Sequence, residues 1–368
     1  MKKIIICFLI IFNFIYSNEN NTKNYRSYLL GDQVGNIYIK ENEKQLYPLA
    51  SVTKIMTLLV TYDAIKNKEI SLKDKVVIDN EILKINGSKV WMYEGQRITV
   101  EDLIKATAIH SANNAAYALA KYIGKGNVDT FIKRMKNKSI ELGIENEVKF
   151  FTPTGLPTSM TGKPMDIGST LGIYKLSLKA LEYESLINLS SKKEVTIYNG
   201  KQKLKNRNNI LGQQGIYGLK TGHHSQAGYN MSVLSKKDGM NIIYVVLGGK
   251  NEKERDYKIL KDITKFFDKY KNQIFLNKDI VLDNIEIKNG NKKNIDIYPE
   301  KDFSKIIKKE STVKFLIEYY PIDLPLEEKD RVGYYKILVN EEILDEGNLI
   351  IKEEVLENKG KFKKYKNI

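Results

Sequence analysis

The sequence predicts an α/β domain followed by a small all-β domain. Three observations carry that prediction. Amphipathic helical stretches and β-rich runs share the first 270 residues or so, short alternating strands take over after that, and 368 residues are more than one ordinary domain holds. An apolar content of 42%, with 10% aromatic residues, suits a chain that packs a core rather than a disordered one.

The N-terminus reads as an export signal over residues 1–17. Lys2 and Lys3 precede the apolar run Ile4 to Phe12, which is too short to span a bilayer, and Ser17 is small enough to precede a cleavage site. The protein is therefore expected to be exported, periplasmic or otherwise extracytoplasmic. Cys7, the only cysteine, lies inside that run, so the mature chain would have no disulfide, thiol nucleophile or cysteine metal site.

Tyr25 to Leu49 reads as strand, turn, strand, with turn signals at Gly31-Asp32 and Gly35-Asn36. A long helix is expected from Ser51 to about Lys66, where Ile55, Leu58, Leu59 and Tyr62 recur at the spacing of one buried face. Further helices are expected at Val100 to Ile109, at the alanine-rich Asn113 to Tyr122, and at Thr130 to Leu142. Leu211 to Gly249 reads as sheet, with Asp238-Gly239 as a hairpin signal, and Asp256 to Tyr270 reads as a closing helix. These boundaries give a first domain over 24–272, a small β-sandwich domain over 276–352 and a basic tail over 353–368. The net charge of +15 suits anionic lipid or an anionic wall polymer better than nucleic acid, for which no motif is present.

Three short motifs carry the chemistry. Ser51-Val52-Thr53-Lys54 puts a serine and a lysine on one helix face, where a desolvated lysine can serve as the base for the hydroxyl. Alone it means little, since Ser190/Lys193 and Ser311/Lys314 share the spacing. Ser111-Ala112-Asn113, the only Ser-x-Asn in the chain, opens the alanine-rich helix and offers a proton-relaying hydroxyl and an amide. Lys220-Thr221-Gly222 leads into the sheet, where the glycine would let a substrate backbone lie along the strand. In this order the three make up the serine–lysine acyl-transfer set.

With these motifs in hand, the residues 25–270 resemble the low-molecular-mass penicillin-binding proteins, serine-type D-alanyl-D-alanine carboxypeptidases. The resemblance rests on Leu49 to Thr57, His110 to Ala116, Phe151 to Pro157, Asn206-Arg207-Asn208 and Gly218 to His223. It implies a β-lactamase/DD-peptidase-like domain, an antiparallel sheet with a helical subdomain, ahead of the β-domain. It also implies roles: Ser51 as nucleophile, Lys54 as base, and Ser111 and Asn113 with Lys220 as relay to the leaving D-alanine. Ser51 and His223 would supply oxyanion N–H groups, and Thr221, Gly222 and Arg207 would bind substrate, with arginine suited to a carboxylate. The implied partners are a peptidoglycan pentapeptide and β-lactam inhibitors. No cofactor and no metal are expected, because the three histidines, His110, His223 and His224, fall in two clusters and adjacent strand residues point apart.

The chain departs from the family pattern at Ala112, where glycine is usual, at Asn114, where aspartate is frequent, at His224, and across 165–176. A serine β-lactamase shares the three motifs, but the Glu-x-x-x-Asn form at Glu184 to Asn188 lies in an amphipathic stretch and reads as chance. A D,D-endopeptidase and a penicilloyl-binding sensor remain open at this level. In the tail, Lys359, Lys361, Lys363, Lys364 and Lys366 stand within Asn358 to Ile368 without an acid, a composition for peripheral contact with anionic membrane. Each lysine is worth about 1 kcal/mol there and is screened by salt. High salt should therefore release membrane-associated protein, and deletion of 358–368 should do the same; protein that stays with the membrane after both treatments is held elsewhere.

Overall fold

The structure, a computed structural model, describes residues 24–358. The export signal and the tail lysines from Lys359 onward lie outside the described residues. Among the described residues, no helix is long and apolar enough to cross a membrane.

The first unit is built on a five-stranded sheet in the order Ile216–His224, Gly228–Lys237, Met240–Gly249, Ser27–Asp32, Ile37–Glu41. All four pairings are antiparallel. Lys237 pairs with Met240 across Asp238 and Gly239, whose φ values of +51° and +74° are those of a two-residue turn matched to strand twist. Along the central strands successive side chains serve opposite cores. Val233, Ile242, Tyr244 and Val246 pack on the helix Glu252–Lys269 through Ile259, Ile263, Phe266 and Phe267. Their neighbours Leu234, Ile243, Val245 and Leu247 face the helical region on the other side. Because both faces are covered, these strands read as unbroken apolar runs.

At the centre of the helical region lies Lys54–Lys66. Its sequence pattern suggests one buried face, but Met56, Thr57, Val60 and Thr61 are buried as well. A helix packed on all sides must satisfy its hydroxyls internally: Thr57 Oγ1 donates to Pro153 O at 2.7 Å and Thr61 Oγ1 to Thr57 O at 2.8 Å. The α-helix does not begin at Ser51; a 3₁₀ turn, Ala50–Thr53, precedes it and carries the serine. Val100–Ile109 is capped by Thr99, and Asn113–Ile123 packs Ala115, Ala116, Ala118 and Ala120 without exposure, small residues that let neighbouring helices come close.

The second unit takes up the chain at Tyr270, ahead of residue 276, because Tyr270–Leu276 pairs with Phe303–Lys308. The remaining strands form a five-stranded sheet around a core of Ile295, Ile297, Tyr335, Ile337, Leu349 and Ile351. The helix Glu252–Lys269 joins the two units, and Phe266 sits at the joint, its ring 4.7 Å from that of Tyr270 and 4.9 Å from that of Tyr38. Phe266→Ala should lower unfolding free energy by about 3–5 kcal/mol, measured by denaturant titration, as truncation of a buried aromatic does; a loss below 1 kcal/mol would mean that the ring is not part of the core.

Candidate active site

The turn Ala50–Thr53 is gripped from three directions. Asn230, fully buried in the middle of a strand, donates its amide to Pro48 O at 2.9 Å and Leu49 O at 3.0 Å. Leu49 N donates to Asp166 O at 2.9 Å. Two glycines complete the grip. A Cβ on Gly155, at φ +76°, would lie 1.9 Å from the Ala50 carbonyl oxygen, and one on Gly222 would lie 3.0 Å from Ser51 N. Gly222 thus admits the Ser51 turn against the edge strand, which is a different service from the substrate approach expected of it.

Ser51 Oγ lies 2.8 Å from Lys54 Nζ. Lys54 is fully buried, and its amine also donates to Asn113 Oδ1 and to Thr154 O, each at 2.6 Å. Asn113 Nδ2 donates to Asn86 O at 2.8 Å, which fixes its oxygen toward the lysine. Asn113 Oδ1 and Thr154 O can only accept, so they occupy the two N–H groups of a neutral amine and leave its lone pair for the Ser51 hydroxyl. Burial, and next the charge of Lys220, hold the Lys54 amine well below the usual lysine range, while Asp166 opposes them.

Lys220 and Ser111 form the second pair, Nζ to Oγ at 2.9 Å. Lys220 also donates to Thr221 O at 2.9 Å, and burial followed by the charge of Arg207 brings it down to about 7. Ser111 has φ +61°, an uncommon conformation for a non-glycine residue and one found at functional sites. Ala112 takes ordinary extended backbone, and its methyl is fully buried in the core, so alanine serves where glycine is usual. Arg207 is exposed and donates to His110 Nε2 at 3.3 Å and Ser88 Oγ at 3.4 Å. Burial first, and then Arg207, push His110 below the usual histidine value, consistent with a neutral ring that accepts.

Thr221 is half-buried on the edge strand, and His223 is exposed with its ring 3.9 Å from Tyr229. His224 Nδ1 accepts from Ala227 N at 3.1 Å, so the two histidines are committed to separate neighbours. The decoys stay apart from this cluster: Ser190 Oγ donates to Ile187 O, Lys314 pairs with Glu341, and Asn188 Nδ2 donates to Glu184 Oε1 on the exposed face of a helix.

Sequence reasoning missed Asn230 and Asp166. Asp166 accepts from Phe151 N at 2.5 Å, Thr152 N at 2.9 Å and Thr152 Oγ1 at 2.6 Å, and so shapes the loop that presents Thr154 O to Lys54. The available signals were single polar residues, Asn230 inside a β-rich run and Asp166 beside one.

Residues 17–251 match the family described as D-alanyl-D-alanine carboxypeptidase, and residues 270–357 match the C-terminal domain of penicillin-binding protein 5. The chain is 29% identical over 330 residues to the D-alanyl-D-alanine carboxypeptidase DacF of Bacillus subtilis, covering 87% of this chain and 82% of that one. Penicillin-binding protein 5 from Haemophilus influenzae superposes with a TM-score of 0.69 at 26% identity, over 91% of this chain and 98% of that one. Penicillin-binding protein D2 from Listeria monocytogenes, solved in its ampicillin-bound form, superposes at 0.58 with 26% identity, over 65% and 97%.

Burial pushes the Asp166 carboxyl up to about 6, against the hydrogen bonds it accepts. The folded protein therefore holds a proton there more readily than the unfolded chain does. That contribution to stability is complete in acid and disappears as pH rises from about 4 to about 6. Asp166→Asn removes the titration. Between pH 4 and pH 7 the stability difference should move in the variant's favour by up to about 3 kcal/mol in denaturant titrations; an unchanged difference would show that Asp166 titrates as in the unfolded chain.

Proposed function

We propose that this chain, which belongs to the D-alanyl-D-alanine carboxypeptidase family of serine-type peptidases, removes the terminal D-alanine of peptidoglycan stem peptides through an acyl-enzyme on Ser51. The observation that carries the reading is the Lys54 amine, 2.8 Å from Ser51 Oγ, with acceptors in place for both N–H groups of its neutral form.

In this reading Ser51 Oγ attacks the carbonyl of the penultimate D-alanine while its proton passes to Lys54. The oxyanion forms against the backbone N–H groups of Ser51 and His223, an arrangement worth about 3 kcal/mol when well aimed. Lys220 and Ser111 deliver a proton to the nitrogen of the leaving D-alanine, and Arg207 and Thr221 hold its carboxylate. Water, deprotonated by Lys54 after it has shed its proton, then attacks the ester and frees Ser51. A β-lactam presents its strained amide to the same serine, which makes penicillin a labelling reagent for the site. The stem peptide lies outside the cytoplasmic membrane, so the reading places the enzyme there, as the sequence of residues 1–17 suggests.

Incubation with a pentapeptide ending in D-Ala-D-Ala should release D-alanine, read by mass spectrometry, and labelled penicillin should attach to wild type. Ser51→Ala should lose both, and a labelled variant would remove Ser51 from the mechanism. A base must be deprotonated to act, so the acylation rate should fall as pH drops through the depressed Lys54 value. Lys54→Ala should lose at least about 100-fold in acylation while remaining folded.

A further inference from the structure

The segment Val90–Tyr93 alternates in burial with period two. Val90 and Met92 are 3% and 9% exposed, whereas Trp91 and Tyr93 are 66% and 52% exposed. Both aromatic rings therefore stand on the solvent side, with centroids 5.2 Å apart and planes inclined at 51°. Isolated exposed aromatics are ordinary, but these two are adjacent and their backbone is held. Asn114, next to the catalytic Asn113, accepts from Val90 N at 3.2 Å and donates to Val90 O at 2.8 Å. An amide does both whereas an ionised carboxylate can only accept, which gives a reason for Asn114 where aspartate is frequent. Tyr198 Oη donates to Trp91 O at 2.9 Å, and Tyr93 N donates to Gln96 Oε1 at 3.1 Å. Two residues before Val90, Ser88 O accepts from Asn113 N at 2.6 Å and Ser88 Oγ donates to His110 O at 3.0 Å. The aromatic pair is thus an arm bolted to the rim of the catalytic site, and from Ser88 to Trp91 it spans at most about 11 Å.

We propose that Trp91 and Tyr93 form a stacking platform for an N-acetylated hexose of the glycan strand that carries the stem peptide. The inference rests on the peptidoglycan reading given above. Four stem residues between the scissile bond and the sugar reach at most about 14 Å, a length comparable to that of the arm. The apolar C–H face of a hexose suits an aromatic ring, and its hydroxyl and acetamido groups suit the exposed flanking polar residues Lys89, Glu94 and Arg97. Two rings are far smaller than the roughly 800 Å² per partner of a stable protein interface. The same charged neighbours would be costly to sink into a membrane. A rigid arm also loses little freedom when it binds, so weak stacking is used efficiently.

Trp91 is the only tryptophan in the chain, so emission under tryptophan-selective excitation reports on this ring and not on the tyrosines. The hydrolysis-blocked Ser51→Ala protein would be titrated with the N-acetylglucosamine tetramer, which carries no peptide. Trp91 emission should shift to shorter wavelength and saturate, and Tyr93→Ala in the same background should weaken the apparent affinity at least 5-fold. In the active enzyme, KM for a glycan-linked pentapeptide should be at least 5-fold below that for the free pentapeptide. Trp91→Ala should abolish that difference and leave kcat on the free pentapeptide unchanged. Unaltered emission at millimolar tetramer, or equal KM for the two substrates in wild type, overturns the proposal. If emission responds but no pentapeptide is hydrolysed, the platform stands and the carboxypeptidase reading falls.

Discussion

The first unit is organised around one buried amine. Lys54 sits without solvent exposure among Ser51, on the turn that precedes its helix, and Asn113 and Thr154, two groups brought from distant parts of the chain. A charged ammonium at that depth is costly, and a neutral amine there must have its hydrogens matched and its lone pair aimed. Much of the surrounding architecture meets that requirement. Asn86 orients the Asn113 amide, Asp166 shapes the loop that offers Thr154 O, and Asn230 with Gly155 and Gly222 presses the serine turn against the sheet. The second lysine, Lys220, adds its own field and helps keep the first one discharged.

In the proposed mechanism the two lysines divide the labour because their surroundings differ. Lys54 has an acceptor for each N–H group and the Ser51 hydroxyl at its lone pair, which suits a group that takes a proton and returns it. Lys220 touches the Ser111 hydroxyl and lies within the field of Arg207, which suits a group that hands a proton outward next to a bound carboxylate. The edge position of Ile216–His224 makes this division workable, since that strand has a paired neighbour on one side and the serine turn on the other.

Much of this arrangement was legible in the sequence. The serine, the two lysines, Ser111 and Asn113 stand in motifs whose chemistry and order limit the choices, and the structure joins them in two hydrogen-bonded groups, Ser51–Lys54–Asn113 and Ser111–Lys220. The helix Val100–Ile109 follows from its apolar pattern, Asn113–Ile123 from its run of alanines, and the Asp238-Gly239 turn from its dipeptide. The positions that escaped share a physical reason. Asn230 is one polar residue in an apolar strand, and its partners lie about 180 residues away, so nothing local announces it. Asp166 likewise serves a loop formed by residues 151–154. The all-round burial of the first two turns of Lys54–Lys66 was hidden because its threonines look polar until their hydrogen bonds are seen, and the start of the second unit at Tyr270 was hidden because a helix runs directly into a strand.

The depth of Lys54 has a consequence for the history of each molecule. In the unfolded chain this residue is an ordinary ammonium and Ser51 an ordinary hydroxyl, because the loops that strip water from them have not yet arrived. Residues from 50 to 230 must all be in place before the pair can react, so reactivity arrives with the last of the packing. A nascent chain can therefore meet cytoplasmic amides and esters without attacking them, and a damaged or half-melted molecule falls silent instead of turning indiscriminate. Folding itself acts as the activating step.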